Sequence, residues 1–127
     1  MRPALFAPWA ALLAMAAFPA AASAAGDAAK GKTVFARCMA CHKVDKSGAN
    51  GLGPNLYGIV GRPVASVKGF NYSPAMKAKG GKWTPAEIDA YLTAPAKAVP
   101  GNRMIFVGLP KKEDRDDLLA YLVAASK

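Results

Sequence analysis

The sequence predicts an all-α domain of about four or five helices joined by long loops. Three observations lead there. No stretch alternates apolar and polar residues long enough to build a sheet. Helix-start chemistry recurs at Asp27, at Ser73-Pro74 and at Thr84-Pro85-Ala86-Glu87. Between residues 44 and 71 the chain is rich in glycine, contains Pro54 and Pro63, and has few periodic apolar positions, so it reads as loop.

The elements follow in order. Residues 1–25 carry Arg2, then an apolar run from about Leu5 to Ala22, then small residues suited to cleavage near positions 24–26. This is the three-part pattern of a secretory signal peptide. The rival reading is a membrane anchor; Pro3, Pro8, Pro19 and an Ala-rich rather than Leu-rich core weigh against it. The domain proper is expected at 26–127. Asp27 caps a first helix expected to reach about Cys41, with Val34 and Phe35 on its buried face. Gly31 weakens that helix unless another element packs closely on it. Ser73-Pro74 opens a short helix. Thr84 to Glu87 reads as a capping box with proline at the first helical position, and that helix ends before Pro95. Glu113 to about Ala125 makes the last helix, with its acids in the first turn and Leu118, Tyr121, Leu122 and Ala125 as one apolar stripe. The stripe is the expected mate of Gly31, so the first and last helices should cross.

Composition excludes several classes. The chain has 127 residues, which suggests one domain rather than a two-lobed cofactor enzyme. At 53% hydrophobic it is too apolar for a disordered protein. Two cysteines cannot form a disulfide-dense scaffold, and with a single histidine they do not suit a zinc site. Loss of the leader removes Arg2 and no acid, so the net charge falls from +9 to +8. A basic surface suits an acidic protein, an anionic membrane or nucleic acid, and export makes nucleic acid the least suitable of the three.

Cys38-Met39-Ala40-Cys41-His42 has the C-x-x-C-H spacing of covalent haem attachment. Two thiols three positions apart reach the two vinyl groups on one porphyrin edge, and the next residue, His42, is then carried beneath the iron. A thioredoxin-like redox pair also uses C-x-x-C, but needs a strand–helix–strand context that is missing here. A structural disulfide is the third reading. No second histidine exists. Of the methionines outside the leader, Met39 lies within the attachment loop and Met76 in the predicted short helix. Met104 lies in the irregular segment Pro100-Gly101-Asn102-Arg103-Met104-Ile105-Phe106, where a loop can close over the far face.

These residues, with Gly31-Lys32-Thr33-Val34-Phe35, Gly53-Pro54-Asn55-Leu56, Gly69-Phe70-Asn71-Tyr72-Ser73, Trp83, Tyr91-Leu92 and Asp117 to Leu122, resemble the class I c-type cytochromes. The mitochondrial cytochrome c and bacterial cytochrome c2 group is similar over essentially all of 26–127. The resemblance implies the class I cytochrome c fold, with loops wrapped around one covalently bound haem c. Cys38 and Cys41 would attach it, and His42 and Met104 would ligate the iron. Pro54 would offer its carbonyl to the second ring nitrogen of His42. Arg62, Tyr72, Trp83 and Asn102 would surround the propionates, and Tyr91 would approach the Met104 sulfur; core packing is the plain alternative for the aromatics. Met76 stands where relatives often carry Asn, Ala96 where they often carry Lys, and the segment before the motif is one residue shorter than in the mitochondrial form.

The function implied is that of a soluble, monomeric periplasmic one-electron carrier, not an enzyme. Its expected donor is a quinol:cytochrome c oxidoreductase, and its expected acceptor a terminal oxidase or reaction centre. Lys32, Arg37, Lys43, Lys97, Arg103, Lys111 and Lys112 would steer it to acidic patches. The alternative is a haem protein with a labile Met104, acting in ligand binding or peroxidase-type chemistry.

Overall fold

The computed structural model describes residues 26–127. The expected leader and its cleavage point lie outside the described residues. Among the described residues five helices follow in order: α1 (Ala28–Phe35), α2 (Pro74–Lys79), α3 (Pro85–Thr93), α4 (Pro95–Ala98) and α5 (Lys112–Ala125). Among the described residues the β-type pairing is one isolated antiparallel bridge, Pro63 with Lys82. No helix among the described residues is long and apolar enough to cross a membrane.

Asp27 caps α1 as expected, its carboxylate accepting the N–H groups of Ala29 and Lys30 at 2.8 and 3.2 Å. The regular helix stops at Phe35, however, and not at Cys41. Beyond it Ala36, Arg37 and Cys38 each bond three residues back, to Thr33, Val34 and Phe35. This tighter winding narrows the chain and leads directly into the turn carrying the two thiols.

α1 crosses α5 at Gly31. A Cβ on Gly31 would land on the Asp117 carbonyl and lie 2.8 Å from Tyr121 Cβ, so only glycine lets the two helices meet this closely. The Phe35 and Tyr121 rings pack 5.3 Å apart beside the crossing. Leu118 and Leu122 are buried, and Tyr121 and Ala125 are half-buried, as the stripe requires. Asp117 is the unexpected member. It is buried, and its carboxylate accepts the Asp27 N–H at 2.7 Å, placing negative charge at the N-terminal end of α1.

α2 starts where expected, with Ser73 Oγ accepting the Met76 N–H at 3.0 Å. Only half of the expected capping box forms on α3. Thr84 Oγ1 accepts the Glu87 N–H at 3.2 Å, but the Glu87 carboxylate turns to Lys79 Nζ, 2.7 Å away. The cation is the stronger partner and lies within reach of the exposed carboxylate. α4 has only four residues, too few to show a period, and its only sequence sign is Pro95 at the first position.

Arg115 joins α3, α5 and the segment before α5. Its Nε donates to Asp89 Oδ1 at 2.7 Å, and its Nη1 to the carbonyls of Leu109 and Pro110 at 2.8 and 3.0 Å. The Leu109 side chain beneath is 1% exposed.

Candidate haem site

Cys38 and Cys41 are free thiols on one tight turn, in which the N–H groups of Cys41 and His42 both bond the Cys38 carbonyl, at 3.0 and 2.8 Å. Burial pushes the Cys38 thiol up, against the opposing pull of Arg37. A thiol-exchange nucleophile needs the reverse, a lowered thiol. The surroundings of Cys38 therefore do not suit a thioredoxin-like pair.

The His42 ring lies in a cradle of backbone. Its Nδ1 is 2.7 Å from the Pro54 carbonyl, so Nδ1 carries the proton and Nε2 keeps its lone pair. Burial lowers the His42 pKa, and the bond to Pro54 opposes it only in part, which favours a neutral imidazole. Gly53 forms the wall. A Cβ there would run into the ring, within 2.9 Å of Nε2 and 2.8 Å of Nδ1. Gly53 is itself held by its N–H, which donates to the Cys41 carbonyl at 2.8 Å. The sequence marks Gly53 only as part of the Gly53-Pro54-Asn55-Leu56 resemblance; its steric requirement shows only once the imidazole is in place.

Met104 lies in the loop between α4 and α5. Its sulfur is 3.9 Å from the Tyr91 hydroxyl, and the Tyr91 pKa is pushed up to about 12 by burial. The loop is fastened at both ends. Asn102 holds the near end with four hydrogen bonds. Gly108 holds the far end: its φ is +114°, and a Cβ would strike the Thr93 carbonyl, while the next residue, Leu109, donates to the Leu92 carbonyl at 2.7 Å.

The residues expected around the propionates divide. The Tyr72 hydroxyl accepts the Val67 N–H at 3.0 Å and keeps its own proton free to donate. Trp83 is 8% exposed, packs 5.1 Å from the Tyr91 ring, and its indole N–H has no partner among the described residues. Arg62 gives one N–H to the Asn55 carbonyl at 3.3 Å and has other donors left. Asn102 differs. Both of its amide hydrogens go to backbone carbonyls, of Pro95 and Val99, so it has no donor left for a carboxylate. Its chemistry here is that of a loop fastener.

The donor set suits a haem. Two unpaired thiols sit three positions apart on one turn, a neutral imidazole has its Nε2 lone pair free, and a thioether comes from a separate loop. Met76, where relatives often carry Asn, is buried in the core with Trp83 and Val99.

Comparison with known proteins agrees. A sequence model of the family described as Cytochrome c matches residues 28–126. The cytochrome c2 of Agrobacterium tumefaciens is 47% identical over 107 residues, covering 80% of this chain and 96% of that one. The cytochrome c-type cyt cy of Rhodobacter capsulatus is 50% identical over 102 residues; they cover 80% of this chain but only half of the longer relative. Among solved structures, cytochrome cH from Methylobacterium extorquens superposes with a TM-score of 0.73 at 41% identity, covering 78% of this chain and 99% of the other. The chain belongs to the cytochrome c family, with the all-α class I fold and one covalently bound haem c.

Proposed function

We propose that this chain is an exported one-electron carrier whose iron is ligated by His42 Nε2 and Met104 Sδ, with Cys38 and Cys41 as the two thioether positions. The observation that carries the reading is the Pro54 carbonyl 2.7 Å from His42 Nδ1, which leaves Nε2 as the only free ring nitrogen beside the attachment turn. When bound, the haem supplies one-electron exchange between ferrous and ferric iron. The chain's own part is to hold ligands and exclude water. Gly53 and Pro54 fix the ring and tautomer of His42. Met104 adds a soft thioether that favours the ferrous state. Tyr72, Trp83 and Arg62 keep N–H or O–H groups available for the propionates, which a buried carboxylate needs. With both His42 and Met104 holding the iron, no position would remain for substrate, which supports a carrier over an enzyme.

The leader pattern of residues 1–25 supports export and a periplasmic location, with cleavage near 24–26. Partners are membrane redox complexes with acidic docking surfaces: a quinol:cytochrome c oxidoreductase as donor, and a terminal oxidase or reaction centre as acceptor. The seven cations named for steering are all exposed, but Lys112 is paired with Asp116 at 2.8 Å, so its charge is partly neutralised.

A reduced-minus-oxidised spectrum and a redox titration of the holoprotein test this reading. A low-spin c-type spectrum that carbon monoxide does not perturb is expected. Met104→Ala should turn the iron high-spin, admit carbon monoxide and lower the potential. If the variant stays low-spin at unchanged potential, Met104 is not the ligand. If the parent protein already binds carbon monoxide readily, the labile-methionine reading replaces the carrier.

A further inference from the structure

Asn102 stands two residues before Met104, and all of its hydrogen-bonding capacity is taken up within the chain. Its Nδ2 donates to the carbonyls of Pro95 and Val99, at 3.0 and 2.8 Å, at the two ends of α4. Its Oδ1 accepts the Met104 N–H at 2.8 Å and the Tyr91 hydroxyl at 3.3 Å. The partners fix the amide's orientation. Turned over, the oxygen would face two carbonyls and the NH2 would face the Met104 N–H.

Tyr91 has one proton and two acceptors within reach. One is Asn102 Oδ1 at 3.3 Å, and the other is Met104 Sδ at 3.9 Å. The amide oxygen is nearer, and a thioether is a weak acceptor. The phenol therefore donates to Asn102 Oδ1, and the sulfur's lone pairs stay free.

We propose that Asn102 is the positioning residue of Met104, fixing its backbone through Oδ1 and withholding the Tyr91 proton from its sulfur. This rests on the reading of Met104 as an iron ligand. Without Asn102 the phenol turns to the sulfur and competes with iron for it, and the Met104 N–H loses its acceptor.

The test uses ferric holoprotein, with imidazole as the probe of how readily Met104 leaves the iron. Asn102→Leu, of similar size and without polar atoms, should bind imidazole about tenfold more tightly, the scale of one lost buried hydrogen bond. Tyr91→Phe alone should change that affinity less than about threefold, since its proton is not on the sulfur. The double variant should bind imidazole more weakly than Asn102→Leu alone, because no phenol remains to compete. A purely structural role predicts the opposite, a double variant at least as labile as the single one, and that result overturns the proposal. If Asn102→Leu does not fold, Tyr91→Phe still decides: a tenfold or larger effect places the proton on the sulfur and sinks the idea. Failure of the ligand reading itself shows separately, as a wild-type protein without the far-red iron–thioether absorption.

Discussion

Around His42 the holding atoms belong to the main chain; around Met104 they belong to side chains. The imidazole is set by the Pro54 carbonyl, by the absence of a Cβ on Gly53 and by the turn from Cys38 to Cys41. The thioether is set by the Asn102 amide, to which the Tyr91 phenol donates, with Gly108 as a main-chain fastening beyond it. A cradle of backbone can be altered only by moving the chain. A side-chain cradle can be altered one substitution at a time, so under the proposed ligation Met104 is where lability and potential would be adjustable without refolding the domain.

Substitutions on the two sides should then differ in kind as well as in size. The largest effect is expected for Gly53→Ala. The new methyl overlaps the His42 ring and must break its bond to Pro54, costing about 3 kcal/mol in chemical denaturation of the holoprotein. A loss below about 0.5 kcal/mol, the scale of an ordinary surface change, would mean that the ring is not wedged against this position. Gly108→Ala comes next, at about 2 kcal/mol, from the positive φ and the Thr93 carbonyl together. Unlike Gly53→Ala it should also raise imidazole affinity, because the loop it displaces carries Met104; stability loss with unchanged affinity would erase the distinction between the two sides.

Smaller still is the alkaline behaviour of Tyr91. Its pKa is raised by burial from 10 to about 12, so the folded state holds the phenol proton more tightly than the unfolded chain does. That contribution to stability is complete below pH 10 and is lost as pH rises through 12. Denaturation of wild type and Tyr91→Phe at pH 9 and pH 12 should show a steeper alkaline decline in wild type; parallel curves would place the phenol in solvent. The mildest expectation concerns neither side of the iron. Electron-transfer rate to an acidic partner should fall as ionic strength rises, and Lys112→Ala should weaken that dependence less than Lys97→Ala, since Asp116 already offsets Lys112.

This division also governs how much was legible in the sequence. The attachment motif is local, so its five residues point to covalent haem in isolation, and the family comparison agrees on that haem. The caps at Asp27, Ser73 and Thr84 are local too, and each appears in the structure. The crossing of the first and last helices was legible from Gly31, an otherwise costly residue in a helix. Gly53 was legible only within its family motif, and its reason was not, being an imidazole eleven positions earlier in the chain. Asn102 was seen, but its expected use toward a propionate did not foresee that its amide is engaged by the backbone. Its spacing two residues before Met104 and three after Val99 allows local side-chain-to-backbone bonds, and that signal was available. Its bond to Tyr91 was not, since it depends on α3 packing over the loop. Likewise the end of α1 depends on the tighter turns that lead into the thiol pair, which helix propensity does not register.

The bond from the Asp27 N–H to Asp117 spans ninety positions, and Gly31 seats under the same stretch of α5. α1 therefore has no mate until α5 has been made. The thiol pair follows α1 directly, so during synthesis it waits in a segment that nothing yet closes. Contacts this distant in sequence form late, because a long loop must first be closed. Chain order thus leaves the thiol turn beside an unpaired α1 until α5 arrives.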